Sequence, residues 1–160
     1  MTLASPETKF GIKIQSRKWP RTIEQSFSLV AGLAYLVGGI AGFWVTGLSP
    51  VTGMTNHAMF GIFMLNPYHN IVHIAVGLLW LLGAFALTAA GNEGLNLAIG
   101  AVYALATALG FLGYLHLLAI GTAGIAGIDN YLHLVTAVAT LIFGTGLLRM
   151  LPGRRVAATA

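Results

Sequence analysis

Four long apolar runs, separated by short polar or glycine-rich interruptions, dominate the chain. A helix crossing the hydrocarbon layer needs about 20 mostly apolar residues, because every backbone N–H and C=O must be bonded internally where water is absent. The first run extends from about Phe27 to Leu48 without a charge. The second follows Asn66-Pro67 and reaches about Ala90, with Pro67 suited to a first helical turn. The third covers about Leu95 to Ile120 and the fourth about Asn130 to Leu151. Gly91-Asn92-Glu93-Gly94 and Gly121 to Asp129 read as connecting turns, and turns that short favour antiparallel neighbours. The link from Ser49 to Leu65 is apolar over Ala58 to Leu65 but too short to span as a helix, and reads as lying at the interface. The expected fold class is all-α: an integral membrane bundle of four transmembrane helices over residues 25–151. A basic segment, 1–24, precedes it and a tail, 152–160, follows.

Composition strengthens this picture. Of 160 residues, 57% are hydrophobic and 8% charged, whereas a soluble domain carries about a quarter charged residues. The absence of Cys excludes disulfides, iron–sulfur clusters and thiolate zinc sites. A net charge of +4 raises the question of nucleic acid, but its distribution points to the membrane surface and to no nucleic-acid partner. Lys9, Lys13, Arg17, Lys18 and Arg21 precede the first run, and Arg149, Arg154 and Arg155 end the fourth. Because Lys and Arg are retained on the cytoplasmic side during insertion, both termini are expected inside, as an even number of spans requires. A signal peptide is the competing reading of the first run, but the run exceeds the usual core of about 7–15 residues.

Two related hairpins are expected within the bundle. Gly32, Tyr35, Gly42 and Phe43 match Gly100, Tyr103, Gly110 and Phe111 at one constant offset, and Asn70-Ile71-Val72-His73 matches Asn130-Tyr131-Leu132-His133. Both hairpins start and return inside, so a pseudo-twofold along the membrane normal would relate them. Ala34, Gly38 and Gly42 form one small-residue stripe, and Gly100, Ala104 and Ala108 another, either of which permits close helix contact.

The candidate chemistry lies in the histidines. His73 and His133 should sit one to two turns below the outer surface, roughly 5–10 Å deep, with His69 one turn above His73 on the same face. His116 is expected at a similar level, and His57 in the outer loop. Neutral imidazole is a good ligand for haem iron and for transition metals. His73 and His133 are the candidate axial pair for haem, and His69, His73, His116 and His133 the candidate ligands of a metal. The structural alternative has Asn70 and Asn130 bonding turn groups and the histidines bonding across helices. Asp129 beside Asn130 suits the positive end of the fourth helix. Neither Glu24 nor Glu93 falls in the middle of a run, and no Ser/His/Asp grouping or phosphate-binding loop can be made out.

Over Phe60 to Gly77, which contains Asn66-Pro67-Tyr68-His69-Asn70-Ile71-Val72-His73, and again at Asp129-Asn130-Tyr131-Leu132-His133, the chain resembles the bacterial family called domain of unknown function 4383. The resemblance covers about residues 24–151. It implies a four-helix bacterial inner-membrane protein in which Asn66, Pro67, Asn70, Asp129 and Asn130 form the motif, and it supplies no activity. The preferred reading is a non-enzymatic structural or accessory subunit, with the lipid bilayer and a homo-oligomer or larger membrane complex as partners. The alternatives are a haem- or metal-binding redox protein and a small transporter.

Overall fold

The computed structural model describes residues 22–52, 58–120 and 127–150. The basic N-terminal segment, His57, the chain from 121 to 126 and the C-terminal tail lie outside the described residues. Helix α1 covers Ile23–Thr46. It starts earlier than apolarity alone predicts because a capping box sets its origin: Thr22 Oγ1 accepts from Gln25 N and Gln25 Oε1 accepts from Thr22 N, both at 3.2 Å. Helix α2 covers Pro67–Phe85, capped by Asn66, whose Oδ1 accepts from His69 N at 2.7 Å. Helix α3 covers Ala89–Phe111 and α4 covers Ile128–Gly144.

Two boundaries differ from expectation. Gly91-Asn92-Glu93-Gly94 is not a turn but part of the first two turns of α3, which Thr88 caps by accepting from Gly91 N at 3.0 Å. The polarity that imitates a loop belongs to side chains facing inward. The C-terminal ends are also shorter. After α3 the chain turns at Gly113 (φ 80°) into a short 3₁₀ segment, Leu115–Leu118, and after α4 at Gly146 (φ 69°) into another, Leu147–Met150. The link before α2 contains a small antiparallel hairpin, β1 Ala58–Met59 with β2 Phe63–Met64, reversing at Phe60 and Gly61.

Helices α1, α2 and α3 are long and apolar enough to cross a membrane. Helix α4, at 17 residues, is about 25 Å long against a hydrocarbon core of about 30 Å. The packing is inverted relative to a water-soluble domain. Val30, Val37, Trp44, Leu78, Val102 and Val135 are exposed, while Glu24, Gln25, Ser28, Asn92, Asn96, Asn130 and Thr140 are buried. That distribution, with its apolar exterior, is consistent with a membrane protein.

Helix α1 packs mainly on α2, and α3 on α4. The contacts run through glycines, but not along the stripe expected on the first helix. Gly38 meets nothing within 4 Å and Ala34 is exposed; Gly32, Gly39 and Gly42 form the contact face. A Cβ at Gly39 would stand 2.7 Å from Asn70 O, and one at Gly77 2.6 Å from Leu36 N. On the other pair, a Cβ at Gly144 would stand 2.7 Å from Leu97 N, whereas Ala104 and Ala108 are exposed. A 3.6-residue period moves a face by one position over a few turns, which is how a plausible small-residue row points the wrong way.

The two pairs are joined at one end by polar side chains. Trp80, fully buried, donates from Nε1 to Asn96 Oδ1 at 2.9 Å; Asn96 Nδ2 donates to Asn92 Oδ1 at 3.1 Å; Asn92 Nδ2 donates to Ser28 Oγ at 2.9 Å. Gln25 Nε2 donates to Leu87 O at 3.0 Å at the same end.

Gly42→Val should destabilise the protein by about 1–3 kcal/mol through overpacking, seen as a lower thermal midpoint in detergent, while Gly38→Ala leaves the midpoint unchanged. Asn96→Leu strands the Trp80 N–H and should cost about 1–3 kcal/mol, measurable in the same melt together with a change in indole fluorescence.

Candidate functional site

The site is built at the opposite end, where α1 and α3 finish and α2 and α4 begin. Asn70 and Asn130 each lie against a glycine of the preceding helix: a Cβ at Gly42 would collide with the Asn70 side chain, and one at Gly110 with the Asn130 side chain. Asn70 Nδ2 also donates to Thr46 Oγ1 at 2.8 Å, fastening the first turns of α2 to the last turn of α1. These anchors determine the rotation of α2 and α4, and so the direction in which their histidines point.

His69, His73 and His133 come together. The His69 and His73 ring centroids are 4.5 Å apart and nearly perpendicular, as residues four apart on one helix allow, and His69 lies 6.0 Å from His133 on α4. Each hairpin contributes a tyrosine beside a histidine. Tyr35 lies 4.7 Å from His73, Tyr103 lies 5.6 Å from His133, and the two tyrosines meet edge to face at 5.7 Å. Across the pairs the Tyr35 hydroxyl bonds Thr136 Oγ1 at 2.5 Å.

Between these side chains is a cavity of about 50 Å³. The three histidines, Tyr103 and Val76 line it, and Leu118 and Ile120 close it from the segment after α3. Asn66 Nδ2 holds that segment by donating to Ala119 O at 3.1 Å. His69 and His133 are each 2% exposed, so their rings are effectively dry. His73 Nε2 and His133 Nδ1 are buried without a hydrogen-bond partner, whereas His69 is bonded by the Met64 backbone and the Tyr103 hydroxyl by that of Tyr35. Unpaired buried polar atoms cost about 1–3 kcal/mol each, and these two belong to residues that line one cavity.

Four of the expected ligands therefore divide three to one. His116 is exposed on the 3₁₀ segment, its ring 6.3 Å from Tyr114, and does not line the cavity. It stands apart because α3 ends at Phe111 instead of continuing through it. His69 lies against both His73 and His133, and the cavity beside them is about 50 Å³. Among the described residues, no group of three or more His, Asp or Glu side chains is placed to hold a metal ion. Asp129 lies in the first turn of α4, as expected, although the N-cap itself is Gly127; its Oδ2 accepts from Met64 N at 3.3 Å and pins the β hairpin. Tyr103, Leu118 and Ile120 were not anticipated as cavity residues. Tyr103 had a visible signal, since it stands in the third run where Tyr35 stands in the first.

No match is found among curated proteins or among solved structures. A family model matches residues 25–146, from just after the α1 cap to the glycine that follows α4. The chain belongs to the family described as Domain of unknown function (DUF4383).

Proposed function

We propose that the chain is a non-enzymatic four-helix protein of the bacterial inner membrane, an accessory or self-associating subunit made of two tandem hairpins with both termini on the cytoplasmic side. The observation that carries this reading is the use to which its polar residues are put. Ser28, Asn92, Asn96 and Trp80 bond one another across helices, as do Asn70 with Thr46 and Tyr35 with Thr136. Such bonds are worth about 0.6 kcal/mol each on average within a bilayer and serve to fix helix rotation. In this reading α4 crosses with help from the 3₁₀ segment that follows it.

The tandem arrangement is supported by paired contacts. Gly42 abuts Asn70 as Gly110 abuts Asn130; Gly32 packs on Leu81 as Gly100 packs on Leu141; Tyr35 lies beside His73 as Tyr103 lies beside His133. Each partner pair keeps the offset found in the sequence. The exposed apolar faces of α1 and α3, including Val37 and Val102, then contact lipid or a second subunit.

Because the native chain has no Cys, single introduced cysteines report topology directly. In intact cells a membrane-impermeant maleimide should label Phe60→Cys and should label Thr159→Cys only after permeabilisation; the reverse pattern would overturn the orientation. A photo-crosslinking residue at position 37 or 102 should give a discrete band larger than the monomer in native membranes, and an unshifted monomer at both positions would remove the subunit reading.

A further inference from the structure

We propose that the seam between α2 and α3 is a binding site for one lipid acyl chain, which lies in the groove between these helices and fills the cavity beside His69, His73 and His133. The inference rests on the reading of the chain as a membrane protein and refines it. The α3 face around Val102 is assigned to lipid, and the α1 face around Val37 is left to a second subunit. It holds for either direction of insertion.

Helices α2 and α3 are held together at one end. A Cβ at Gly83 would stand 2.8 Å from the Leu95 side chain, and Trp80 bonds Asn96, so the two helices touch near the turn that joins them. Farther from that turn Val76 and Val102, then Val72 and Ala106, line the cavity of about 50 Å³. The glycines that would let the helices close there are spent elsewhere: Gly77 packs on α1, and Gly100 and Gly110 pack on α4. The cavity is open to the exterior along this seam. His69, Tyr103, Ala106 and His133 are buried and form its inner wall, whereas Val72 and Val76 are half-buried and Val102 is 58% exposed.

The chemistry of the wall selects the occupant. No nitrogen or oxygen contributes to its surface, although three histidines and a tyrosine surround it. A buried water needs about two to four polar partners and finds none here. Hydrocarbon needs none, and it restores the dispersion contacts that an empty space forfeits. A methylene group is close to a water in size, roughly 30 Å³, so the cavity takes about two of them. The groove continues beyond the cavity. Val72, Val76 and Leu79 recur at helical spacing on α2, and Ala98, Val102 and Leu105 on α3, with Leu79, Ala98, Val102 and Leu105 exposed. From Val72 to Leu79 is about 10 Å along the helix. That is much of the ~15 Å depth of one leaflet, half of a hydrocarbon core of about 30 Å. An acyl chain matches this length and this surface, whereas a helix of a second copy, about 10 Å across, is too broad to enter the cavity.

The test uses the full chain reconstituted in phosphatidylcholine vesicles doped with a phosphatidylcholine that carries a photoactivatable diazirine at mid-chain. After illumination and digestion, label should concentrate on Val76, Leu79, Ala98 and Val102, several-fold above that on Val37 of α1, which at 62% is as exposed as Val102 at 58%. Val102→Trp, which fills the cavity, should bring the label on Val76 and Leu79 down to the α1 level and leave α1 unchanged. Should that variant fail to fold, Val76→Phe takes its place, read at Leu79 and Ala98. Even labelling of α1, α2 and α3, as an annulus of lipid gives, would overturn the proposal and leave the subunit reading intact. So would seam label that survives both substitutions. A chain-to-chain crosslink from position 102 with no lipid label on the seam would overturn it in favour of a second copy. Seam label together with only monomer at positions 37 and 102 would support the acyl chain and remove the subunit.

Discussion

The Asn70 side chain occupies the space in which a side chain at position 42 would begin, and the Asn130 side chain does the same at position 110. Each asparagine is therefore a bolt between consecutive helices, and only glycine opposite it lets the backbones approach closely enough. Helix rotation is otherwise weakly determined where the outside is uniformly apolar, since Val, Leu and Ile are interchangeable against an apolar surrounding. Asn70 adjoins His69 and precedes His73 by three residues, as Asn130 precedes His133, so the way these pairs are locked orients all three imidazoles.

Much of this was legible from spacing. The grouping of His69, His73 and His133 follows from antiparallel runs and from the position of each histidine near the start of its run, and the structure brings these three together. His116 was misplaced because a run of apolar residues does not announce where a helix stops; Gly113 in a left-handed conformation does, and its conformation is invisible in the letter sequence. The α1 face was misread for a related reason. Ala34, Gly38 and Gly42 are as good a row of small residues as Gly32, Gly39 and Gly42, and only the partner helix distinguishes them.

The Asn92–Asn96 cluster exposes a different limit. Polar residues between two apolar runs are ordinarily solvated, which is why they read as a turn. Here Asn92 and Asn96 are four residues apart on one helical face, fully buried, and matched to Ser28 and the Trp80 N–H. Complementary partners lie on other helices, far away in sequence, and no local pattern reveals them. The same holds for Tyr35 and Thr136, whose bond ties the first helix to the last. Polar groups join glycine contacts in setting where helices meet in this molecule, while most of the large apolar side chains face outward.

The bond from Met64 N to Asp129 Oδ2 spans the two helix pairs: the donor leads into α2 and the acceptor belongs to the first turn of α4. The small β hairpin is thus a lever whose fulcrum lies between the pairs. A force applied at its tip, where Phe60 and Ile62 are exposed, acts on Asn66 and the start of α2 from one side and on the turn preceding His133 from the other. The hairpin thus ties the entrances of α2 and α4, the two helices that carry His69, His73 and His133, to each other.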